Sequence, residues 1–560
     1  MSTNIFGVLN IAKVGLLTQQ LAIEVTGNNI ANVQTEGYSR QVVVLDANTP
    51  RITSQGQLGT GVRVTGIERV HDQFLLAQIV TENSPLGEFR IRQDVYEQME
   101  ILFNESQGRS LNKELSSLFA SLQDLATNPT ALPERAVVIA NAQALVSVFN
   151  HLGDELFQFQ RNVNNIIADE IPQINLMLEE IAKLNKDVFE NEPGNFLAND
   201  LRDRRDNLVK DLAEKLDITM FRESDGQVSL TLRNGLPLVL RETVFALSTQ
   251  SNGDNMGFRD VMLDNGAGVF TNITSQIRGG ELRGYLDMRD VELAGILDKV
   301  NRLAAGFTQE FNRVHQQGFG LDGSTGVNFF KPLDPTVLIN TANTGSATVA
   351  MTNASPTTTS IDQYEMTFTG SNTFLLTNLT TGAASGTFSF TSGSTFNIAN
   401  GFAVTISSGA AVGDRFRFSI SNSAASKMAV SSEVIADSRK VAAGLSRTGD
   451  GNNALALGDL QESLVFDSTS LVPGGSGAFT FDEFYNAIIS TVGLQSFTAQ
   501  ARASQQDGVL LQLQNRRDSI SGVSIDEEMI NLIKFQAAYN ASARIINVVQ
   551  EMFDTLIDRI

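Results

Sequence analysis

The chain has 560 residues, 42% hydrophobic and 18% charged, and its 41 basic against 62 acidic side chains give a formal net charge of -21. At about 150 residues per domain this is material for three or four folded domains, and no run approaches the roughly 18 to 20 consecutive apolar residues of a membrane span. The acidic balance argues against nucleic acid. The absence of cysteine excludes disulfides and thiol chemistry, and the wide spacing of His71, His151 and His315 gives no helical metal pair, so neither metal nor cofactor is expected.

Met1 to Lys13 holds one basic residue and no compact apolar stretch followed by a cleavage site, so it does not read as a cleaved secretory signal. The first 32 residues carry a four-three heptad seam through Ile5, Leu9, Ala12, Leu16, Ile23 and Ile30, completed by Gln19 and Thr26. A second register, Ile11, Val14, Thr18, Leu21 and Val25, lies on another side of the same helix, which therefore asks for several neighbours. Asn28, Asn29 and Asn32 then sit where the helix must end, followed by Thr35, Gly37 and Tyr38; Gly37 permits a turn of positive φ.

From Gln41 to Val70, short β-like runs punctuated by glycine predict a hairpin-containing connector. Helical period runs from Asp72 to Lys215, with breaks expected near Pro85, Gly108, Asn128 to Pro133 and Pro193, and a kink at Pro172. Residues 218–275 read as strands, with Asp225-Gly226 and Asn234-Gly235 as hairpin turns. Helix returns from Glu281 to Gln317. Between Thr341 and Gly413 the only charges are Asp362 and Glu365, yet period-two pairs such as Phe388/Phe390 and Phe416/Phe418 point to a β-rich domain, not a linker. Helices resume after Ser426, with breaks at Gly449 to Asn453 and Pro473 to Gly477.

The last forty residues give the strongest pattern: Ile525, Met529, Leu532, Gln536, Tyr539, Ala543, Ile546, Gln550, Phe553, Ile557 and Ile560 keep unbroken four-three spacing. A second stripe follows Phe535, Ala538, Ser542, Ile545, Val549, Met552 and Leu556, and Ser524 with Glu527 forms a candidate capping box. Terminal segments fray unless something ties them down. The two end helices are therefore expected to pair in an antiparallel or crossing coiled coil, their other faces covered by neighbouring subunits.

The fold class expected is multidomain α+β, mainly α with β domains, with the N- and C-termini paired. The map has a terminal coiled-coil domain of residues 1–45 and 518–560 and a helical bundle of 46–340 and 425–517 carrying a β-rich insertion at 218–275. A β-rich outer domain occupies 341–424.

The string from Gly27 to Tyr38, together with Ser521 to Glu528 and its continuation through Met552-Phe553-Asp554, closely resembles the signatures of bacterial flagellar axial proteins of the rod, hook and hook-associated group. The resemblance implies a non-enzymatic structural protein, exported through a type III apparatus without a cleaved signal and located in the extracellular flagellum. There it would form a helical homo-oligomer at the junction zone between hook and filament, supporting filament assembly and motility. Its implied partners are the hook protein, a second junction protein (hook-associated protein 3), filament components and a cytoplasmic export chaperone. Ile525, Met529, Leu532, Tyr539, Ala543, Ile546, Phe553 and Ile557 would then serve both chaperone and tube. No G-x-S-x-G, P-loop or H-E-x-x-H motif supports catalysis, and Asp322-Gly323-Ser324-Thr325-Gly326 reads as a plain turn. Two alternatives stay open: another axial subunit of hook or rod type, and a secreted surface-binding protein acting through the β domain.

Overall fold

The computed structural model describes residues 5–53, 56–103, 110–194, 196–467 and 477–557. Ile560, the side chain of Leu556 and the expected breaks near Gly108 and Pro473 lie outside the described residues.

Helix α1 (Ile5–Ala31) leads into a hairpin arm: β1 (Gln41–Ala47) pairs antiparallel with β4 (Val62–Arg69), and β2 (Arg51–Thr53) with β3 (Gly56–Leu58) forms its tip. Four helices follow: α2 (Gln73–Phe103), α3 (Leu111–Thr127), α4 (Leu132–Asn191) and α5 (Asn199–Lys215). The Ser110 hydroxyl caps α3 by accepting from Lys113 N–H at 3.1 Å, and Pro133 occupies the first turn of α4, where no N–H is needed. The helix does not break near Pro85 as expected: α2 runs through it, because contacts with neighbouring helices on several sides outweigh one lost hydrogen bond. The helix α4 likewise continues through Pro172.

Seven short strands fill the next stretch. β5 (Ile218–Arg222), β6 (Val228–Leu232), β7 (Pro237–Leu240) and β8 (Thr243–Val244) form one meander. β9 (Leu247–Ser251), β10 (Arg259–Asp264) and β11 (Phe270–Asn272) form a second. Gly226 and Gly235 sit at φ 86° and 90° in the two turns that their dipeptides predict. Helices α6 (Gly280–Asp287) and α7 (Leu293–His315) are joined by one π-helical turn, Met288–Glu292. Arg289, fully buried in that turn, is satisfied by the Asp290 carboxylate, Asn164 Oδ1 and Arg259 O at 2.7 to 3.0 Å.

The outer domain stacks two antiparallel sheets. One has the order β12 (Thr336–Ile339), β19 (Arg415–Ser419), β14 (Tyr364–Gly370), β15 (Thr373–Asn378), β16 (Ala384–Ser389); the other has β13 (Val349–Asn353), β18 (Phe402–Ile406), β17 (Thr395–Ile398). Phe368, Phe374, Phe390, Phe396 and Phe416 meet between them at centroid distances of 5.7 to 6.4 Å, which is what the period-two phenylalanines require. Its first strand, β12, precedes residue 341.

The chain returns through the short helices α8 (Ala424–Lys427), α9 (Ser432–Ala436) and α10 (Asn452–Gly458) to two long ones, α11 (Phe481–Ser521) and α12 (Ile525–Ile557). A reciprocal capping box, Thr480 with Glu483, starts α11. The core is continuous from α2 to α11, with Phe307 and Phe311 of α7 touching Phe329, Phe330 and Phe481. By length and mean hydropathy alone α1 and α4 are long and apolar enough to cross a membrane, each with a window of mean hydropathy 1.3, although polar residues interrupt the apolar run in both. In α4 that window feeds the internal core; in α1 it feeds the terminal pair.

Candidate assembly interface

The two terminal helices lie side by side and antiparallel: Phe6 meets Phe553 at 5.2 Å between ring centroids, a Cβ on Gly15 would lie 3.3 Å from Ser542 Oγ, and Asn29 bonds Glu528. On α1 the covered positions are Ala12, Thr18, Ala22, Val25, Thr26 and Asn29, with Ile5, Leu9, Val14, Leu16, Leu21, Ile23 and Ile30 half-buried and Ile11 exposed. Small residues at 12, 15 and 22 let the partner backbone approach closely. Thr18 and Val25 of the second register are buried too, on a helix that also packs against β1 and β4.

On α12 the half-buried or buried positions are Leu532, Phe535, Tyr539, Ser542, Ile546, Val549 and Phe553, which keep four-three spacing but take members from both predicted stripes. Ala538 and Ala543 flank them, half-buried. Ile525, Met529, Ile545, Met552 and Ile557 are left exposed in the single chain, as is Ile533, at 62%. Periodicity could not choose the seam because two stripes of equal strength run beside each other. The spacing of Gly15 and Ala22, seven residues apart, was the sign of the close-approach face.

The asparagine motif is where the terminal pair joins the rest. Asn29, 1% exposed, donates from Nδ2 to Gln41 O at 2.9 Å and to Glu528 Oε2 at 3.1 Å, while its Oδ1 accepts from Gln41 N–H and Tyr38 OH, both at 2.9 Å. One amide thus ties α1, β1 and α12 together. Asn32 caps the helix end through Asn28 O and Asn28 Oδ1, each at 3.0 Å, and Thr35 Oγ1 donates to Asn32 Oδ1 at 3.2 Å. Gly37 sits at φ 77°, and a Cβ there would fall 1.8 Å from Asn207 Nδ2, so glycine is required by conformation and by space. Burial first, then Asp200, Asp203 and Glu528, push the Tyr38 hydroxyl up to about 12, which keeps it a donor.

The acidic pair Glu527-Glu528 reads from sequence as solvated, but Glu528 is 3% exposed because Asn29 reaches it. Glu527 leaves its own cap half-made, with Ser524 Oγ 3.5 Å from its N–H, and its carboxylate meets Arg40 Nη1 at 2.9 Å. Arg40 N–H also bonds Ser521 O at 2.8 Å, and Arg517 Nη2 bonds Tyr38 O at 3.1 Å, so the turn between α11 and α12 is held by the motif.

Toward the helical domain, Ser39 donates twice to Asp203 of α5 (2.8 and 2.9 Å), and Gln41 Nε2 reaches Asp200 Oδ1 at 2.7 Å. Arg69 bridges Asp203 and Asp206. Burial alone would raise the Asp206 carboxyl; Arg69, Arg205 and Arg222 outweigh it and hold it below the usual range. None of these α5 partners was marked in the sequence, because a charged helix face reads as solvated until its tertiary partners are known.

At the far end of the pair a cleft of about 1170 Å³ opens between α1, α12 and the tip of the arm, lined by Val8, Ile11, Leu58, Ile545, Val548 and Met552 among others. Its walls are mostly apolar. Among the described residues no cluster of three or more His, Asp or Glu side chains could hold a metal ion.

Three stretches of the chain match models of flagellar protein families. Residues 96–330 match the flagellar hook-associated protein FlgK helical domain, 514–559 the flagellar basal body rod FlgEFG protein C-terminal region, and 9–38 the flagella basal body rod protein. The chain is a homologue of flagellar hook-associated protein 1. It is 29% identical over 559 residues to that protein of Escherichia coli (strain K12), covering 98% of this chain and 99% of the relative. It is 26% identical over 585 residues to that of Bacillus subtilis (strain 168), covering 99% and 98%. The fold is similar to that of the flagellar hook junction protein FlgK from Burkholderia pseudomallei, with a TM-score of 0.66 at 19% identity, over 80% of this chain and 100% of the other. These relations support a structural role for the chain at the hook–filament junction and a place in the flagellum.

Proposed function

We propose that this chain builds the junction zone between hook and filament as a helical homo-oligomer, so that the filament can be seated and the cell can swim. The observation that carries it is the exposed apolar surface of the paired terminal helices, where Ile525, Met529, Ile533, Ile545, Met552 and Ile557 remain uncovered in one chain although the helices are fully formed. Large apolar side chains left exposed on two sides of a formed helix are surfaces for other subunits. In this reading residues 1–45 and 518–560 form the tube, 46–335 with 425–517 the supporting bundle, and 336–424, from β12 onward, the outer domain.

The hook protein would contact one side of the zone, and hook-associated protein 3 with the filament the other. Ile525 to Ile557 would be covered by a cytoplasmic chaperone before export, which proceeds without a cleaved signal. The role needs no catalytic group. Deleting the gene tests it: monomeric flagellin should accumulate in the culture supernatant of non-motile cells whose hooks remain. Normal filaments in the deletion strain would overturn the reading.

A further inference from the structure

The terminal pair carries two unlike surfaces at its two ends. The distal end holds the apolar cleft just described, and its rim bears Arg51 and Arg544 with Glu551 one helical segment further on. The proximal end of α12 bears an exposed apolar ridge, Ile525, Met529, Ile530 and Ile533, bracketed by Asp526 and Lys534. Arg51, Arg544, Glu551, Asp526 and Lys534 make no ion pair among the described residues, which leaves both rims electrostatically unanswered within one chain.

The order of charge along α12 matters. On the ridge a carboxylate precedes an ammonium, Asp526 then Lys534; in the cleft a guanidinium precedes a carboxylate, Arg544 then Glu551. Two copies of α12 laid parallel, one shifted by about 18 residues, bring Asp526 to Arg544 and Lys534 close to Glu551. At 1.5 Å per residue that shift is about 27 Å. The reverse, antiparallel placement sets Asp526 against Glu551 and Lys534 against Arg544, which repels.

We infer that the distal cleft receives the Ile525 to Ile533 ridge of a second copy of this chain, in parallel orientation and displaced by about 27 Å along the helix axis. Because cleft and ridge are different patches, the contact is head-to-tail and leaves a free cleft at one end and a free ridge at the other, so it propagates into an open array and does not close as a dimer. The inference rests on the proposed assembly role and names the surfaces through which neighbours would meet.

The cysteine-free chain makes the test clean. Ile530→Cys with Val548→Cys in one full-length chain, expressed in flagellated cells lacking the natural gene, should give a ladder of oxidant-dependent dimers, trimers and larger species in isolated flagella. Each single-cysteine chain should remain monomeric under the same oxidation. A motile double variant that is incorporated yet does not cross-link above the single-cysteine background overturns the inference and leaves the junction role standing. Dimers from either single variant overturn it in favour of a two-fold contact. Absence of the wild-type chain from isolated flagella removes the junction role itself, and the inference with it. As a second readout, Arg544→Glu should lower the fraction of filament-bearing cells several-fold, and Asp526→Arg in the same chain should restore it. Failure of that restoration, with both variants melting like the wild type, also counts against the pairing.

Discussion

Helices α7 and α12 both carry dense apolar periodicity, and the structure uses them in opposite ways. In α7 nearly every residue from Val300 to Phe311 is buried, and Phe307 alone meets the rings of Phe119, Phe311, Phe330 and Phe481. In α12 the described side chains that are fully covered are those of Glu528 and Val549, and large aliphatic residues face outward along its length. The difference is topological. The helix α7 sits among α4, α8, α10 and α11, whereas α12 packs chiefly on α1. An apolar stripe therefore says that a helix will be covered, and the number of neighbours within the chain says by whom.

This contrast breaks most sharply under truncation of one side chain in each helix. Phe311→Ala should cost about 3 to 5 kcal/mol, since the ring is fully buried among aromatic neighbours that cannot collapse into the space. Ile533→Ala, at an exposed site, should stay within about 0.5 kcal/mol in the isolated chain. Thermal melting of the two variants checks both. A large loss for Ile533→Ala would mean that α12 is buried within one chain after all.

The second prediction concerns acid. His315, at the end of α7, is fully buried, with Nδ1 donating to Val327 O at 2.7 Å and Nε2 accepting from Ala442 N–H at 2.9 Å. Protonation would destroy the acceptor, and burial pushes the imidazole down to about 4. The unfolded chain takes up its proton near pH 6.5 and the folded one near 4, so the stability contributed is full above 6.5 and falls as pH drops between those values. The loss is about 3 kcal/mol. Urea unfolding of the helical domain from pH 7 to 4 should show it, and His315→Gln should make that part of the profile shallower, leaving the share of His71, whose imidazole burial also pushes down to about 4. The terminal pair has no described histidine, so hydrogen exchange within α1 and α12 should not follow this titration.

How much of this was legible before the structure depends on whether a residue's partner is near in sequence. Gly37, Gly226 and Gly235 announce their turns because each acts within a few residues of itself, whereas the capping box expected at Ser524 and Glu527 is only half made. The pairing of the two ends was legible as well, since both stripes needed covering. What could not be read were contacts between different elements of the fold, 20 residues apart in one case and 499 in another. Arg135 and Arg205 look like surface charges, yet both are fully buried, Arg135 on the carbonyls of Pro129 and Val441 and Arg205 on Asn185 Oδ1 and Gly226 O. Glu528 and the α5 carboxylates belong to the same class. Pro85 misled in the other direction, because a local rule gave way to tertiary packing.

Asn29 lies on the boundary between the two regimes, and its replacement tests whether they are mechanically joined. Asn29→Leu keeps the volume but removes the acceptor for Gln41 N–H and Tyr38 OH and the donor to Gln41 O and Glu528. Four groups on Gln41, Tyr38 and Glu528 lose their bonds at once, at a cost of about 1 to 3 kcal/mol where they cannot turn to water. The loss should appear in α1, β1 and α12 and leave the aromatic core around Phe307 untouched, because Asn29 makes no bond to it. Hydrogen exchange in the full chain should therefore accelerate in residues 5–47 and 525–557 with the main thermal transition unmoved. A shift of that transition by several degrees would instead mean that the terminal pair and the helical domain unfold as one unit, and that Asn29 is part of a single core and not the coupling between two.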